Sequence, residues 1–121
     1  MKVAVTAMGP SLNAPVDPRF GRTACFVLVD TGDMSFEAVD NTNQSMGGGA
    51  GIQSARLMAD KGVAAVLTGN CGPNAHKTLT AAGIDVVLGC DGTVAEAVER
   101  FKAGELCAAK APNVESHSGM R

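Results

Sequence analysis

Residues 69–73 carry a cysteine where a helix is predicted to begin. The start of a helix favours a thiolate and lowers the pKa of a thiol, and thiolates are ligands that soft metals prefer. His76 follows Cys71 by about one helical turn, so both side chains could contact one metal. Cys71 is therefore a candidate metal ligand. An inert cysteine that fills a turn and a surface histidine are the alternatives, and the sequence leaves both open.

Positive charge and permissive backbone occur in two other segments. Arg19 and Arg22 lie in a loop rich in proline and glycine, residues 8–22, and a guanidinium is a fixed fork of donors for anions. Residues 47–51 are rich in glycine and lead into a predicted helix, where a ligand can approach unpaired N–H groups closely. These features predict a site for an anion. A metal–sulfide cluster, such as a thiomolybdate, and a phosphate are both candidates.

Each of these signals also has a simpler explanation. The glycine run has neither the GxGxxG pattern nor the Gly-Lys-Ser/Thr ending of a phosphate loop, so it can be a flexible connection. Arginines are most often solvated surface charges, and Asp17 can pair with one of them. The sequence shows no nucleophile–base–acid triad and no paired carboxylates in one motif. It therefore predicts a binding protein and not an enzyme.

The composition narrows the class of protein. The 121 residues are 45% apolar and 18% charged, with a net charge of −2, which suits one compact domain. Because Trp and Tyr are absent and positive charge is not in excess, nucleic acid is not a predicted partner. No apolar run approaches the roughly 20 residues that span a bilayer, and no signal peptide is recognised, so no membrane partner is predicted and a cytoplasmic location is expected. Four cysteines stand singly, without zinc-site or disulfide spacing: Cys25, Cys71, Cys90 and Cys107.

The apolar pattern and the turn residues predict the element order β-β-β-α-β-α-β-α. The predicted strands are 2–7, 25–29, 35–39, 63–68 and 84–88, and the predicted helices are 51–61, 73–82 and 93–103. Thr93 and Glu96 predict a capping box at the last helix. The fold class is α/β, a single domain with a mixed five-stranded sheet and helices on its faces. Residues 1–107 are predicted to form a cluster-binding α/β domain and residues 108–121 a mobile C-terminal tail.

The topology predicts where the candidate residues meet. Ligands of open α/β sheets bind at the carboxyl ends of the parallel strands. If the first and fourth strands are parallel neighbours, the segments 8–22 and 69–73 leave the sheet side by side and form one anion site. Three functions then remain open. They are a carrier of an anionic cluster, an enzyme or binding module for a phosphorylated small molecule, and a protein–protein interaction module in a larger assembly.

Five motifs in combination point to a family. They lie at residues 17–22, 49–53, 67–75, 82–84 and 92–97. Over about residues 1–107 the chain resembles the dinitrogenase iron–molybdenum cofactor biosynthesis family. The resemblance implies a ribonuclease-H-like fold without ribonuclease chemistry, and binding of iron–molybdenum cofactor or its precursors. The chain also resembles members that hold a molybdenum–copper sulfide cluster without covalent attachment. Beside the inorganic cluster, proteins of the same operon or pathway are expected partners.

The resemblance carries over two groups of residues. Residues 19–22 match an Arg-Phe-Gly loop, and residues 70–74 match a Gly-Asn-x-Gly-Pro-Asn turn. Some cofactor-binding members place a histidine directly after the Phe-Gly pair, where this chain has Arg22, so electrostatic holding is favoured over histidine ligation. His76 stands where an apolar residue is expected. The predicted cofactor-binding set is Arg19, Phe20, Gly21, Arg22, Gly47, Gly48, Gly49, Asn70, Cys71, Gly72, Asn74 and His76, with Cys71 as the candidate metal ligand.

Overall fold

A computed structural model of the chain describes residues 1–41 and 50–106. The predicted binding residues Gly47, Gly48 and Gly49 and the predicted tail 108–121 lie outside the described residues. Five strands and three helices occur in the predicted order. They are β1 (Lys2–Ala7), β2 (Cys25–Asp30), β3 (Phe36–Asp40), α1 (Ala50–Asp60), β4 (Ala65–Leu67), α2 (Pro73–Ala81), β5 (Asp85–Val87) and α3 (Val94–Lys102).

The strands form one mixed sheet in the order β3-β2-β1-β4-β5. β1 pairs in parallel with β4, and β4 pairs in parallel with β5. The hairpin strands β2 and β3 continue the sheet on the other side of β1 in antiparallel pairing. The prediction of a mixed five-stranded α/β sheet is confirmed. β4 is shorter than the predicted 63–68, because only Ala65–Leu67 pair with β1.

The sheet is covered on both faces, which explains the continuous apolar run of β1. On one face, Val94 and Val98 of α3 join Val3 and Val5 in a buried cluster. On the other face, helices α1 and α2 supply the second cluster, with Met58 fully buried against the sheet. Successive residues of a strand point to opposite faces, so β1, β2, β4 and β5 each contribute to both clusters.

The helix starts differ in how they are capped. At α3 the Thr93 hydroxyl accepts the Glu96 N–H at 3.2 Å, and the Glu96 carboxylate accepts the Thr93 N–H at 2.8 Å. The predicted capping box is therefore confirmed. At α2, Pro73 opens the helix and no side chain caps it at Gly72. None of the helices within 1–41 and 50–106 is long and apolar enough to cross a membrane.

Candidate functional site

Two loops meet at the carboxyl ends of β1 and β4. Residues 17–23 form the arginine loop and residues 69–74 form the asparagine turn. Arg19 and Asn70 make an isolated parallel bridge between them. The Asn70 N–H donates to the Pro18 carbonyl at 2.7 Å, and the Phe20 N–H donates to the Asn70 carbonyl at 3.2 Å. The backbone itself therefore joins the two segments that the topology predicted to be neighbours.

Gly69 allows this close approach. A Cβ atom at position 69 would lie 2.8 Å from the Cα and 3.1 Å from the carbonyl oxygen of Pro18. Backbone atoms cannot give way as the end of a flexible side chain can, so any larger residue would separate the arginine loop from the asparagine turn.

Two buried threonines attach the arginine loop to the sheet. The Thr6 hydroxyl lies 2.6 Å from the Asp17 carbonyl oxygen and 2.8 Å from the Thr68 hydroxyl. A hydroxyl has one proton, so Thr6 donates to the carbonyl and accepts from Thr68. The Asp17 N–H in turn donates to the Thr6 carbonyl at 2.9 Å. Both backbone polar groups of Asp17 are thus fixed by β1.

The two arginines differ in charge compensation. Arg19 is 62% exposed, but its Nε and Nη2 lie 3.3 and 3.4 Å from the two carboxylate oxygens of Asp17, which is 2% exposed. The pairing that the sequence left open therefore involves Arg19. Arg22 is exposed, and it forms no ion pair within the part of the chain that the structure describes. Arg22 is consequently the less compensated charge of the loop.

Phe20 anchors the arginine loop in the core. Its ring is 2% exposed and lies 5.7 Å from the ring of Phe26 in β2, tilted by 56°. Such aromatic pairs stabilise beyond the area that they bury. The Phe20 side chain is buried, whereas Arg19 and Arg22 of the same loop are exposed.

A buried amide connects the arginine loop to α1. Asn41 is 2% exposed, and its Nδ2 donates to the carbonyls of Gly21 at 3.1 Å and Thr23 at 2.9 Å. Its Oδ1 accepts from the hydroxyl of Ser54, in α1, at 3.3 Å. A carboxamide is suited to this position, because it presents two donors and an acceptor on one planar group.

These contacts surround two adjoining hollows. The larger, of about 360 Å³, is lined by Arg19, Phe20, Gly21, Arg22, Asn70 and Gly72. The smaller, of about 200 Å³, shares Phe20, Gly21, Asn70 and Gly72 and adds Gly51, Ile52, Pro73, Asn74 and Ala75. The first turn of α2 thus opens on the smaller hollow, and a helix N-terminus favours negative charge. Cationic side chains therefore line the larger hollow, and a helix start lines the smaller one.

The structure contradicts the expected activation of Cys71. Cys71 is 1% exposed and belongs to the core cluster beneath α1 and α2. Burial raises the pKa of the Cys71 thiol to about 12, because removal from water disfavours the thiolate. The prediction of a lowered pKa is therefore wrong. Desolvation outweighs the helix start, and metal ligation by this thiol stays a prediction that requires it to leave the core.

His76 is also inside the molecule. It is 7% exposed, and its backbone N–H donates to the Gly72 carbonyl at 3.0 Å. Across residues 1–41 and 50–106, no three His, Cys, Asp or Glu side chains are grouped so that they could hold a metal ion. A binding role for His76 stays a prediction, and the described residues offer charge and N–H groups instead of a ligand set.

Several residues that shape the site were not among the sequence candidates. Thr6, Asn41, Ser54 and Thr68 are buried polar residues that fix the arginine loop. Their only sequence signal is a polar residue at or just beyond the end of an apolar strand, as for Thr6, Asn41 and Thr68. That signal is weak, because such residues are common in turns and caps.

Comparisons with known proteins find similarity over nearly the whole chain. The model of a family described as dinitrogenase iron–molybdenum cofactor matches residues 1–104. The apo form of the orange protein from Desulfovibrio gigas is 47% identical with a TM-score of 0.91, covering 93% of this chain and 96% of that one. A Thermotoga protein provisionally assigned as a NifB protein is 36% identical with a TM-score of 0.77, covering 88% and 91%. An uncharacterised protein of Methanocaldococcus jannaschii is 33% identical over 109 residues, covering 88% and 89%.

Proposed function

The chain belongs to the dinitrogenase iron–molybdenum cofactor family, and from that premise we propose that it binds and carries an anionic metal–sulfur cluster without covalent attachment. The observation that carries the proposal is the hollow shared by the arginine loop and the asparagine turn. Two arginines line its larger part, and the start of α2, which no side chain caps, lines the adjoining smaller part. A negatively charged guest there meets guanidinium groups and backbone N–H groups together.

The donor groups of the site fit such a guest. Among the described residues, the lining of the larger hollow contains two cations and no carboxylate, while the Asp17 carboxylate is buried next to Arg19. The thiol of Cys71 is inside the core, so this residue does not present its sulfur at the surface of the site. A cluster that brings its own sulfide ligands needs no sulfur from the protein. Charge, hydrogen bonding and shape are then sufficient for holding it.

The identity of the cluster is proposed from the family resemblance. The likeness to members that hold a molybdenum–copper sulfide cluster, together with 47% identity to the orange protein, makes that cluster the first candidate. Iron–molybdenum cofactor or a precursor is the alternative that the family description supports. A carrier role without catalysis, a cytoplasmic location, partner proteins of the same pathway and the ribonuclease-H-like designation are part of the same proposal.

Anaerobic reconstitution tests the proposal. The purified protein is mixed with tetrathiomolybdate and Cu(I), passed through a desalting column, and assayed for charge-transfer absorption, molybdenum, copper and sulfide. We expect stoichiometric retention of metal with sulfide. Reconstitution with isolated iron–molybdenum cofactor distinguishes the two candidate clusters. Elution of all metal with the small molecules in both experiments would count against the function.

A cysteine variant separates holding by charge from ligation by sulfur. Cys71→Ser keeps the size of the side chain and removes the thiol. Because the thiol is buried with a raised pKa, we expect retained cluster and unchanged charge-transfer bands. Loss of the bands in the variant, with the fold intact by circular dichroism, would show that Cys71 is a ligand.

A further inference from the structure

We infer that Asp17 makes this site selective against compact oxyanions, such as phosphate, in favour of large and weakly hydrated anions. The inference rests on the proposed function, since it concerns which anions the same hollow accepts. Asp17 acts through Arg19 and is a positioning residue for the guest.

Asp17 occupies one hydrogen-bonding edge of the Arg19 guanidinium. The guanidinium presents five N–H donors, and its Nε and Nη2 form one of the edges that bind an oxyanion in bidentate fashion. The two Asp17 carboxylate oxygens lie 3.3 and 3.4 Å from those two nitrogens. A compact oxyanion that enters the larger hollow therefore finds one bidentate edge of Arg19 already in use.

The Asp17 carboxylate is fixed in its place beside Arg19. Its backbone N–H and carbonyl are both bonded to Thr6, at 2.9 and 2.6 Å. Its carboxylate also accepts the backbone N–H of Arg19 at 3.0 Å. With the residue 2% exposed, the carboxylate is held beside the guanidinium by groups that do not depend on the guest.

Little positive charge remains in the larger hollow for a bound anion. Asp17 offsets Arg19, so within residues 1–41 and 50–106 Arg22 is the lining cation of the larger hollow that has no ion pair. Releasing phosphate from water is costly and needs several charge-assisted hydrogen bonds in return. A thiometalate spreads its charge over large sulfur atoms that accept hydrogen bonds weakly, so it loses less when donors are scarce. The site as built therefore favours the second kind of anion.

Asp17→Asn is the direct test. The amide oxygen can still accept the Arg19 N–H, so the loop geometry is kept while the negative charge is removed. The probes are tetrathiomolybdate, molybdate and inorganic phosphate, of which the first two share charge and tetrahedral shape. Dissociation constants are measured anaerobically at low salt by titration calorimetry. Asp60→Asn is the matched control, because it makes the same charge change at the far end of α1, about 13 Å along the helix axis from Gly51, which lines the smaller hollow.

The wild-type protein is expected to bind tetrathiomolybdate more tightly than either oxyanion. In Asp17→Asn, the affinity for molybdate and phosphate rises about fivefold, the scale of one partly exposed ion pair, and that for tetrathiomolybdate rises about twofold or less. Asp60→Asn changes none of them. An unchanged ratio of thiomolybdate to oxyanion affinity in Asp17→Asn overturns the inference.

A double-mutant cycle shows whether Asp17 acts through Arg19. In an Arg19→Gln background, Asp17→Asn is expected to raise oxyanion and tetrathiomolybdate affinity by the same factor, since only the general charge of Asp17 is then left to act. A gain that stays selective for oxyanions in this background would contradict the inference.

The outcomes separate this inference from the proposed function. If the wild type binds no tetrathiomolybdate but Asp17→Asn gains oxyanion affinity through Arg19, the function fails and the role of Asp17 stands. If the wild type retains thiometalate and Asp17→Asn keeps the same selectivity, the function stands and the inference fails. Absence of binding of every probe to both proteins would overturn both.

Discussion

The two ends of the sheet form hollows of comparable size from different chemistry. At one end lie the arginine loop and the asparagine turn, with two cations and the start of α2. At the other, a hollow of about 250 Å³ is lined by Lys2, Leu28, Asp30, Ser35, Phe36 and Glu37. Among the described residues, two carboxylates here face the Lys2 amine and the Met1 ammonium, which lies 3.9 Å from Asp30, so positive charge is not in excess. Size alone therefore does not distinguish a binding site in this protein.

The loops at the two ends are also held differently. The turn after β2 is bonded within itself and to the N-terminal residue. The Asp30 N–H donates to the Ser35 carbonyl at 2.8 Å, the Asp33 carboxylate accepts the Ser35 N–H at 2.9 Å, and the Thr31 N–H donates to the Met1 carbonyl at 2.8 Å. The hydrogen bonds from the N–H and the hydroxyl of Ser35 lower the pKa of Asp33. The arginine loop, by contrast, is bonded to β1, to the asparagine turn and to Asn41. A loop whose contacts come from separate elements can hold side chains in place for a ligand.

Of the substitutions considered, Gly69→Ala is expected to have the largest effect, because it forces the arginine loop and the asparagine turn apart. The added Cβ would meet the backbone of Pro18 at 2.8 Å, and overpacking of this kind costs about 1–3 kcal/mol. We expect the midpoint of urea unfolding to fall and cluster retention to be lost. Gly9→Ala is the control, because its Cβ would meet Ala14 at an ordinary 3.4 Å. Equal stability of the two variants would contradict the tight contact between the loops.

Asn41→Ala tests the connection between the arginine loop and α1. It leaves the carbonyls of Gly21 and Thr23 without their side-chain donor, and an unsatisfied buried polar group costs about 1–3 kcal/mol. Tetrathiomolybdate binding should weaken while its salt dependence is kept, because both arginines remain. Asn13→Ala, an exposed position, is the control. A variant that unfolds like the wild type and binds equally well would show that the amide does not shape the site.

A charge change at each end compares the two hollows directly. Arg22→Gln should weaken tetrathiomolybdate binding about fivefold at low salt, and less at high salt because mobile ions screen exposed charges. Lys2→Gln removes the same charge at the opposite end and should leave binding unchanged. Calorimetric titration at two salt concentrations measures both effects. Similar losses in the two variants would indicate attraction by overall charge and not by the arginine loop.

The buried cysteines lead to a prediction about stability at high pH, an effect on the fold and not on either hollow. Cys25, Cys71 and Cys90 all lie at the end of the sheet that carries the arginine loop. Burial raises the pKa of Cys71 to about 12 and of Cys90 to about 11, from an ordinary 9.0. The folded state therefore binds the thiol protons more tightly than the unfolded state. Stability is fully present below pH 9 and falls above it, by about 1 kcal/mol per thiol near pH 10.

Urea unfolding at pH 8, 9 and 10 measures this dependence. The chain has no Tyr, so titration of phenols does not interfere. A Cys71→Ser variant should show a smaller loss between pH 8 and 10 than the wild type does. Stability that is constant up to pH 10 would mean that the thiols are in contact with water.

Most of the fold could be predicted from the sequence because local signals agreed with it. The strand predicted at 2–7 is β1 residue for residue, and Thr93 with Glu96 correctly marked the start of α3. The meeting of the arginine loop and the asparagine turn followed from the rule for parallel strands. For Cys71 the same approach failed, since position at a helix start is visible in the sequence and burial is not.

The sequence by itself determined the order of the elements, the family and the presence of two arginines in a loop beside a Gly-Asn turn. Only the tertiary structure decided which arginine is compensated, where the thiol lies and which buried groups hold the loop. The physical reason is that helices, strands and turns depend on residues close in the chain. Desolvation and ion pairing depend on the whole surroundings of a group, and Thr6 and Thr68, 62 positions apart, come together only on folding.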